Sequence, residues 1–293
     1  MVLKLIRDRE PTHLAVVFDP RGGSFRNRIY PEYKGHRPDM PWELAAQFPL
    51  FEPLCEAMGL TYLNVPDYEA DDVIGPLAQR FGDDADVWLV TGDKDMQQLV
   101  TRRVRVFDPK KNEEIGEPQV LERFGCTPLA VPEVLGLMGD SSDNIPGVPK
   151  VGLKKARALI ESYGTIEGVY EHLDEVRGPA MQRNLAENKD QALLSRQLAT
   201  IERQVPVEVT LADLALDFPP REQGPLKELF ERFGFQKLLP SVGARLEGLS
   251  RDGYRLVLDR PALDAMVAEL AGAELLAFDT ETTGLLPMQA GLV

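Results

Sequence analysis

The sequence predicts an α/β fold with a mainly parallel sheet, and three observations carry that expectation. Short apolar runs rich in β-branched residues, at His13 to Phe18, Thr61 to Val65 and Asp86 to Thr91, have the length and composition of buried strands. Stretches with helical apolar spacing separate them, and strands that alternate with helices favour parallel pairing. Two of the runs also end abruptly in polar turns, Asp19-Pro20-Arg21-Gly22-Gly23 and Gly92-Asp93-Lys94-Asp95, where the chain would leave the sheet for a loop.

Residues 42 to 58 have helical spacing interrupted by Pro49 and Pro53, and Tyr68 to Phe81 reads as a helix with an acidic first turn, which suits the positive end of a helix dipole. Further on, Ile145 to Gly152 is a glycine-bracketed turn leading into the helical stretch LKKARALIESYG. The character changes after Gly243: residues 243 to 253 read as a linker, followed by strands at Tyr254 to Leu258 and Glu274 to Phe278 around a helix near Pro261 to Ala271. Three parts are therefore expected: an α/β core over 1–138, a helical hairpin region over 139–243 and the start of a further domain over 249–293.

Composition narrows the function. With 293 residues, 43% of them apolar, the chain can bury a substantial core and exceeds the roughly 100–200 residues of one domain. Its two cysteines, Cys55 and Cys126, lack the close spacing of a thiolate zinc site, and its three histidines, His13, His36 and His172, are scattered. No segment approaches the ~20 apolar residues of a membrane-spanning helix, and MVLKLIRDREP lacks the apolar centre of a signal peptide. A cytoplasmic protein without a membrane partner is the expectation.

A net charge of −14 argues against a nucleic-acid binder, but the distribution argues the other way. Acids gather at 67–72, 83–86, 93–95 and 139–143, while basic residues gather at 21–37 and 150–157. In parallel α/β sheets ligands collect at the carboxyl ends of strands. Asp19 follows the first strand, Asp93 and Asp95 follow a later one, Glu69, Asp71 and Asp72 open the helix between them, and Asp140 and Asp143 lie in a glycine-bounded turn. Singly these acids have ordinary explanations as helix caps and turn formers. Together, eight carboxylates from four segments suit hard divalent cations, which take oxygen ligands and in two-metal phosphoryl-transfer sites sit ~4 Å apart.

The turn Gly147-Val148-Pro149-Lys150-Val151-Gly152, followed by Lys154, Lys155 and Arg157, reads as a helix-hairpin-helix. Backbone N–H groups there could hold a phosphate while the lysines add charge; an ordinary tight turn between helices is the alternative. Phe25-Arg26 and Tyr33-Lys34-Gly35-His36-Arg37 interleave aromatic and basic residues, a weaker sign of strand binding.

These stretches resemble a known family, the 5′ nuclease domain of bacterial DNA polymerase I, related to the flap endonucleases. The matching segments are THLAVVFD (12–19), FRNRIYPEYKGHRPDMP (25–41), EADDVIG (69–75), TGDKDMQQLV (91–100), LMGDSSDNIPGVPKVGLKKA (137–156) and LLSRQLATI (193–201). The resemblance implies a PIN-like nuclease core with a helical arch and a helix-hairpin-helix subdomain. It implies that Asp19, Glu69, Asp71, Asp72, Asp93, Asp95, Asp140 and Asp143 bind metal, two or more Mg²⁺ or Mn²⁺ ions. Arg26, Lys34 and Arg37 become the catalytic basic residues of the arch. Gly147, Val148, Lys150, Val151, Gly152, Lys154 and Lys155 become duplex-binding, with K⁺ at the hairpin.

The implied activity is metal-dependent hydrolysis of 5′ ends and flaps of DNA and of RNA primers by a monomer in the nucleoid. Its alternative is a structure-specific binder of branched DNA without cleavage. DTETTGL resembles the first motif of a 3′-to-5′ exonuclease, with Asp279 and Glu281 as metal ligands of an incomplete site. Two departures stand out. The strand and aspartate that open the family's nuclease would precede Met1, so impaired cleavage is expected, and Lys150, Leu153 and Lys155 differ from the common GVPGVGEKTA hairpin.

Overall fold

A computed structural model describes residues 1–242 and 255–273 of the chain. Two compact units divide it, Met1–Gly243 and Ala244–Val293. The strands are β1 (Ala15–Val17), β2 (Thr61–Leu63), β3 (Val87–Val90), β4 (Val104–Asp108) and β5 (Glu113–Ile115). The helices of the first unit are α1 (Val2–Arg9), α2 (Phe25–Ile29), α3 (Trp42–Ala45), α4 (Phe51–Ala57), α5 (Ala70–Phe81), α6 (Glu117–Phe124), α7 (Val131–Met138), α8 (Leu153–Tyr163), α9 (Ile166–Glu171), α10 (Pro179–Glu187), α11 (Lys189–Ala199) and α12 (Gly224–Arg232).

Pairing is mainly parallel. Strands β1 and β2 pair in parallel with Val16 opposite Tyr62, and β3 pairs in parallel with β4, Leu89 opposite Val106. Only β5 runs antiparallel, against β4. Among the described residues these form two separate sheets, β1-β2 and β3-β4-β5. The strands are shorter than the apolar runs that announced them, because the run ends bend into the turns that carry the polar residues. The arch was expected around Arg26, Lys34 and Arg37; from Phe25 to Ala57 the chain forms α2, α3, a 3-10 turn at Phe48–Leu50 and α4, and Pro49 and Pro53 break the helical spacing there, since proline lacks the N–H that continues a helix.

Helix α5 shows how sequence becomes packing. Glu69 caps its start, and Val73 and Leu77, one turn apart, are buried with Val205 and Val207, with Val17 and Leu63 packed against them. Burying such a side chain contributes ~1.5–3 kcal/mol. A second, larger cluster runs from Leu89 and Val106 through Val134, Leu135 and Leu137 of α7 to Ala156, Ile160 and Leu198. Helix α7 thus serves both the sheet and the helices after it, and positions Asp140 just beyond its carboxyl end.

The hairpin turn carries a local cost. Lys150 has φ 65°, in the left-handed region that side chains with a Cβ avoid, at the position where the family pattern has glycine. Replacing Lys150 with Gly is expected to stabilise the protein by about 0.5–1 kcal/mol, read as a higher midpoint in urea; a lower midpoint would show that the lysine makes a compensating contact.

In the second unit, helix α13 (Arg260–Leu270) starts at Asp259, whose carboxylate accepts from the Ala262 N–H at 2.8 Å. Residues 255–258 form no strand, a correction to the expected strand at Tyr254 to Leu258: Leu256 and Leu258 are exposed, and among the described residues no strand pairs with them. Asp279, Glu281 and the expected strand from Glu274 to Phe278 lie outside the described residues.

Candidate metal centre and its basic surround

Chain direction sets up the site. Strand β1 delivers Asp19, whose carboxylate accepts from the Ala70 N–H at 2.8 Å and so ties the end of β1 to the start of α5. Strand β3 leads through Thr91 into Asp93, whose Oδ1 accepts from the Asp95 N–H at 3.0 Å. That tight turn forces Asp93 and Asp95 close together. Beyond α7, Asp140 and Ile145 exchange backbone hydrogen bonds at 2.7 and 2.8 Å, closing the loop that presents Asp140 and Asp143.

Asp95, Asp140 and Asp143, all buried, each place a carboxylate oxygen within 4.8 Å of the others'. Oδ1 of Asp95 is buried and has no hydrogen-bond partner. Burial, then the charges of Asp93, Asp140 and Asp143, push the Asp95 carboxyl up to about 8. Asp71 is pushed up to about 7, again by burial first and then by the charges of Asp93, Glu69 and Asp19. Asp93 therefore acts on both groups, one made of Asp19, Glu69 and Asp71, the other of Asp95, Asp140 and Asp143. Seven of the eight acids share this region.

The eighth, Asp72, is engaged elsewhere. It is fully buried and grips Arg26 with both oxygens, at 2.6 and 2.8 Å, while also accepting from the Glu69 and Glu202 N–H groups at 3.1 and 2.9 Å. Arg26, only 3% exposed, donates as well to Glu69 and to the carbonyls of Leu198 and Thr200. Burial works against its charge, but the hydrogen bond and charge of Asp72 outweigh it and hold the guanidinium above its usual pKa. The pair is an internal brace joining α2, α5 and the chain after α11, and it offers nothing to the cleft.

Lys34 and Arg37 do reach the cleft. Lys34 Nζ lies 2.5 Å from Glu69 and 3.6 Å from Asp143, and Arg37, half-exposed, lies 2.5 Å from Asp143. Sequence reasoning passed over Lys94 and Ser142 and placed Tyr33 only in a stretch of interleaved aromatic and basic residues. The Tyr33 hydroxyl donates to Glu69 at 2.9 Å and Asp143 at 3.2 Å, and burial followed by those two charges raises its pKa, so the phenol keeps its proton. Lys94 Nζ lies 2.6 Å from Asp140 and donates to Ser142 Oγ at 3.1 Å. Ser142 in turn donates to Asp140 at 2.6 Å. Lys94 stood in plain view between Asp93 and Asp95, and its alternation with them was the available signal.

The hairpin divides by burial. Gly147, Val148 and Val151 are buried, the two valines in the large apolar cluster, whereas Lys150, Gly152, Lys154 and Lys155 are exposed. Ser195 Oγ accepts from the Gly147 N–H at 2.9 Å, and Lys155 Nζ donates to the Lys150 carbonyl at 2.8 Å. Gly152 caps α8 without a side-chain acceptor, leaving the Leu153 and Lys154 N–H groups without a capping side chain.

Asp95, buried with an unpartnered carboxylate oxygen beside those of Asp140 and Asp143, fits a divalent cation well, since oxygen donors at that spacing match its ligand preference. Adding Mg²⁺ should raise the melting temperature, because a ligand that binds only the folded state stabilises it. Without metal, the proton held by Asp95 stabilises the fold below the ordinary aspartate pKa, and that stability is lost as pH rises through about 8. Asp95→Asn should therefore melt higher than the parent in EDTA at pH 8.5 and respond less to Mg²⁺. A lower melting point in EDTA would contradict the like-charge account.

The fold defines a class: TM-scores of 0.58 and 0.57 relate it to a T5 5′-exonuclease with zinc bound and to a T5 flap endonuclease in a complex with DNA and metal ions. Each is 23% identical and matches 69% of this chain and 79% or 78% of its own. A family model for the 5′-3′ exonuclease N-terminal resolvase-like domain matches residues 1–125, and one for its C-terminal SAM fold matches 126–222. The chain belongs to the 5′-3′ exonuclease family. Among curated relatives, a DNA polymerase I of Bacillus caldotenax is 41% identical over 247 residues, covering 83% of this chain and 28% of the relative. A DNA polymerase I of Pseudomonas aeruginosa is 38% identical across 100% of this chain and 34% of its own length. The chain thus spans about a third of these relatives. Among the described residues no helix is long and apolar enough to cross a membrane.

Proposed function

We propose that this chain carries the 5′ nuclease of a DNA polymerase I and hydrolyses phosphodiester bonds at 5′ ends and flaps of DNA and of RNA primers, acting as a monomer in the nucleoid. The observation that carries the reading is the convergence of Asp95, Asp140 and Asp143 within 4.8 Å beside Asp93. Asp19, Glu69, Asp71, Asp93, Asp95, Asp140 and Asp143 would hold Mg²⁺ or Mn²⁺. Such ions supply charge stabilisation at the phosphodiester and an activated water for in-line displacement.

The chain's own groups do the rest. Lys34 and Arg37 stand beside the carboxylates, paired with Glu69 and Asp143, and would offset charge that develops at a phosphate bound there. Tyr33 keeps its proton and bridges Glu69 to Asp143, fixing two acids from different segments. Asp72 and Arg26 hold Glu69 in place from behind. The exposed lysines and the first-turn N–H groups of α8 would take backbone phosphates of the duplex, and backbone carbonyls of the hairpin would be the ligands offered to K⁺. On this reading, Lys154→Ala with Lys155→Ala weakens duplex binding and reduces its salt slope by about one to two. Unchanged affinity at every salt concentration would remove the hairpin from the interface.

The deciding experiment is Mg²⁺-dependent release of a labelled 5′ flap from a branched duplex. Binding of that substrate without cleavage under any divalent cation would favour the alternative, a structure-specific DNA-binding module.

A further inference from the structure

Away from the acids, Arg102, Arg103 and Arg203 surround a depression of about 470 Å³ whose floor includes Ala78, Leu99 and Val104. It runs along α5 from Gly75 to Gly82, and its near edge is four residues, about 6 Å along a helix, from Asp71. The only acid in the lining is Asp83. In a chain with 47 acidic and 33 basic residues, three guanidiniums around one hollow are unusual.

The donors of Arg102 and Arg203 are largely unspent, whereas those of Arg103 are mostly engaged. Arg102 is exposed and makes no side-chain hydrogen bond or ion pair among the described residues. Arg203 is half-buried, and its guanidinium, with five N–H donors, makes one hydrogen bond, from Nη2 to the Gln98 carbonyl at 2.9 Å. Among the described residues it has no ion pair, and burial pushes its pKa below the usual value. Arg103 is held by the carbonyls of Asp83 and Asp84 at 2.7 and 3.1 Å, with Asp86 at 3.4 Å. Thr101 Oγ1 accepts from the Arg103 and Val104 N–H groups at 3.3 and 3.1 Å, so the turn bearing two of the arginines is preorganised.

A half-buried cation without a counter-charge costs free energy that an anion in the hollow would recover. Guanidinium pairs match phosphate oxygens in geometry as well as charge. The apolar floor accommodates a sugar or base edge better than a bare ion would require. We propose that this depression is a second anion site, taking the phosphate of a nucleotide, either free or within a nucleic-acid strand. The inference does not rest on the function proposed for the acid cleft.

The test uses the whole chain in EDTA, which removes any phosphate capture through metal. Two probes, a fluorescent 5′-deoxynucleoside monophosphate and a fluorescent single-stranded oligonucleotide, are titrated against the parent, Arg102→Glu, Arg203→Met and, as a charge-matched control, Arg221→Glu. Arg221 lies outside the lining and pairs only with Asp217, at 3.3 Å on the surface, and Arg102 makes no side-chain hydrogen bond or ion pair among the described residues, so both charge reversals are expected to leave the fold intact. Arg102→Glu and Arg203→Met are expected to weaken binding roughly tenfold relative to Arg221→Glu. Loss in the mononucleotide arm assigns a free nucleotide. Loss confined to the oligonucleotide, with a shallower salt dependence, assigns a strand. If both probes bind Arg102→Glu and Arg203→Met as they bind Arg221→Glu, the proposal is overturned.

Discussion

Arg26→Met is expected to lower the free energy of unfolding by about 3–5 kcal/mol, the cost of leaving a buried charge without its partner. Asp72 would then sit fully buried with two oxygens stripped of their guanidinium donors, and the Leu198 and Thr200 carbonyls would lose theirs. The reciprocal change, Asp72→Leu, should cost as much, because Arg26 is 3% exposed and cannot swing into water. The double variant decides the physics. With both charges gone no uncompensated ion remains, so it should lose clearly less than the sum of the singles, as contacting groups do in a double-mutant cycle. Urea unfolding of the four proteins measures this; single losses below about 1 kcal/mol, or strict additivity, would show that the brace does not act as a pair.

This pair also marks where sequence reading stopped. Asp71 and Asp72 are adjacent and chemically identical, and both read as ligands at a helix start. Successive helical residues point about 100° apart, so only one can face the cleft, and which one depends on Arg26 arriving from forty-six positions earlier. Tyr33 was hidden for a related reason: its role arises from Glu69 and Asp143, both remote in sequence. Local patterns fared better. The acids at Asp19, Asp93 and Asp95 were legible because strand ends and tight turns are written in adjacent residues. At the hairpin the glycine-bracketed turn was legible, whereas the inward orientation of Val148 and Val151 depended on α7, which only the folded chain supplies.

Asp93→Asn is expected to reduce flap cleavage by at least about 100-fold, the scale on which misplacing reacting groups by an ångström acts. Asp93 is the acid whose charge acts on both Asp71 and Asp95, so it is the link between the two carboxylate groups. Its Oδ1 accepts from the Asp95 N–H at 3.0 Å, a bond that the amide oxygen of Asn can preserve. The turn should therefore survive, and the effect should fall on cation binding rather than on folding. Calorimetric titration with Mn²⁺ provides a readout independent of turnover: Asp93→Asn should bind fewer ions or bind them more weakly, while its melting temperature in EDTA stays equal to or above that of the parent. Affinity for the branched duplex in EDTA should hold or rise, because one negative charge has left the surface proposed to face phosphates. Cleavage within a few-fold of the parent, with an unchanged Mn²⁺ titration, would place the catalytic ions away from Asp93 and break the link between the two acid groups.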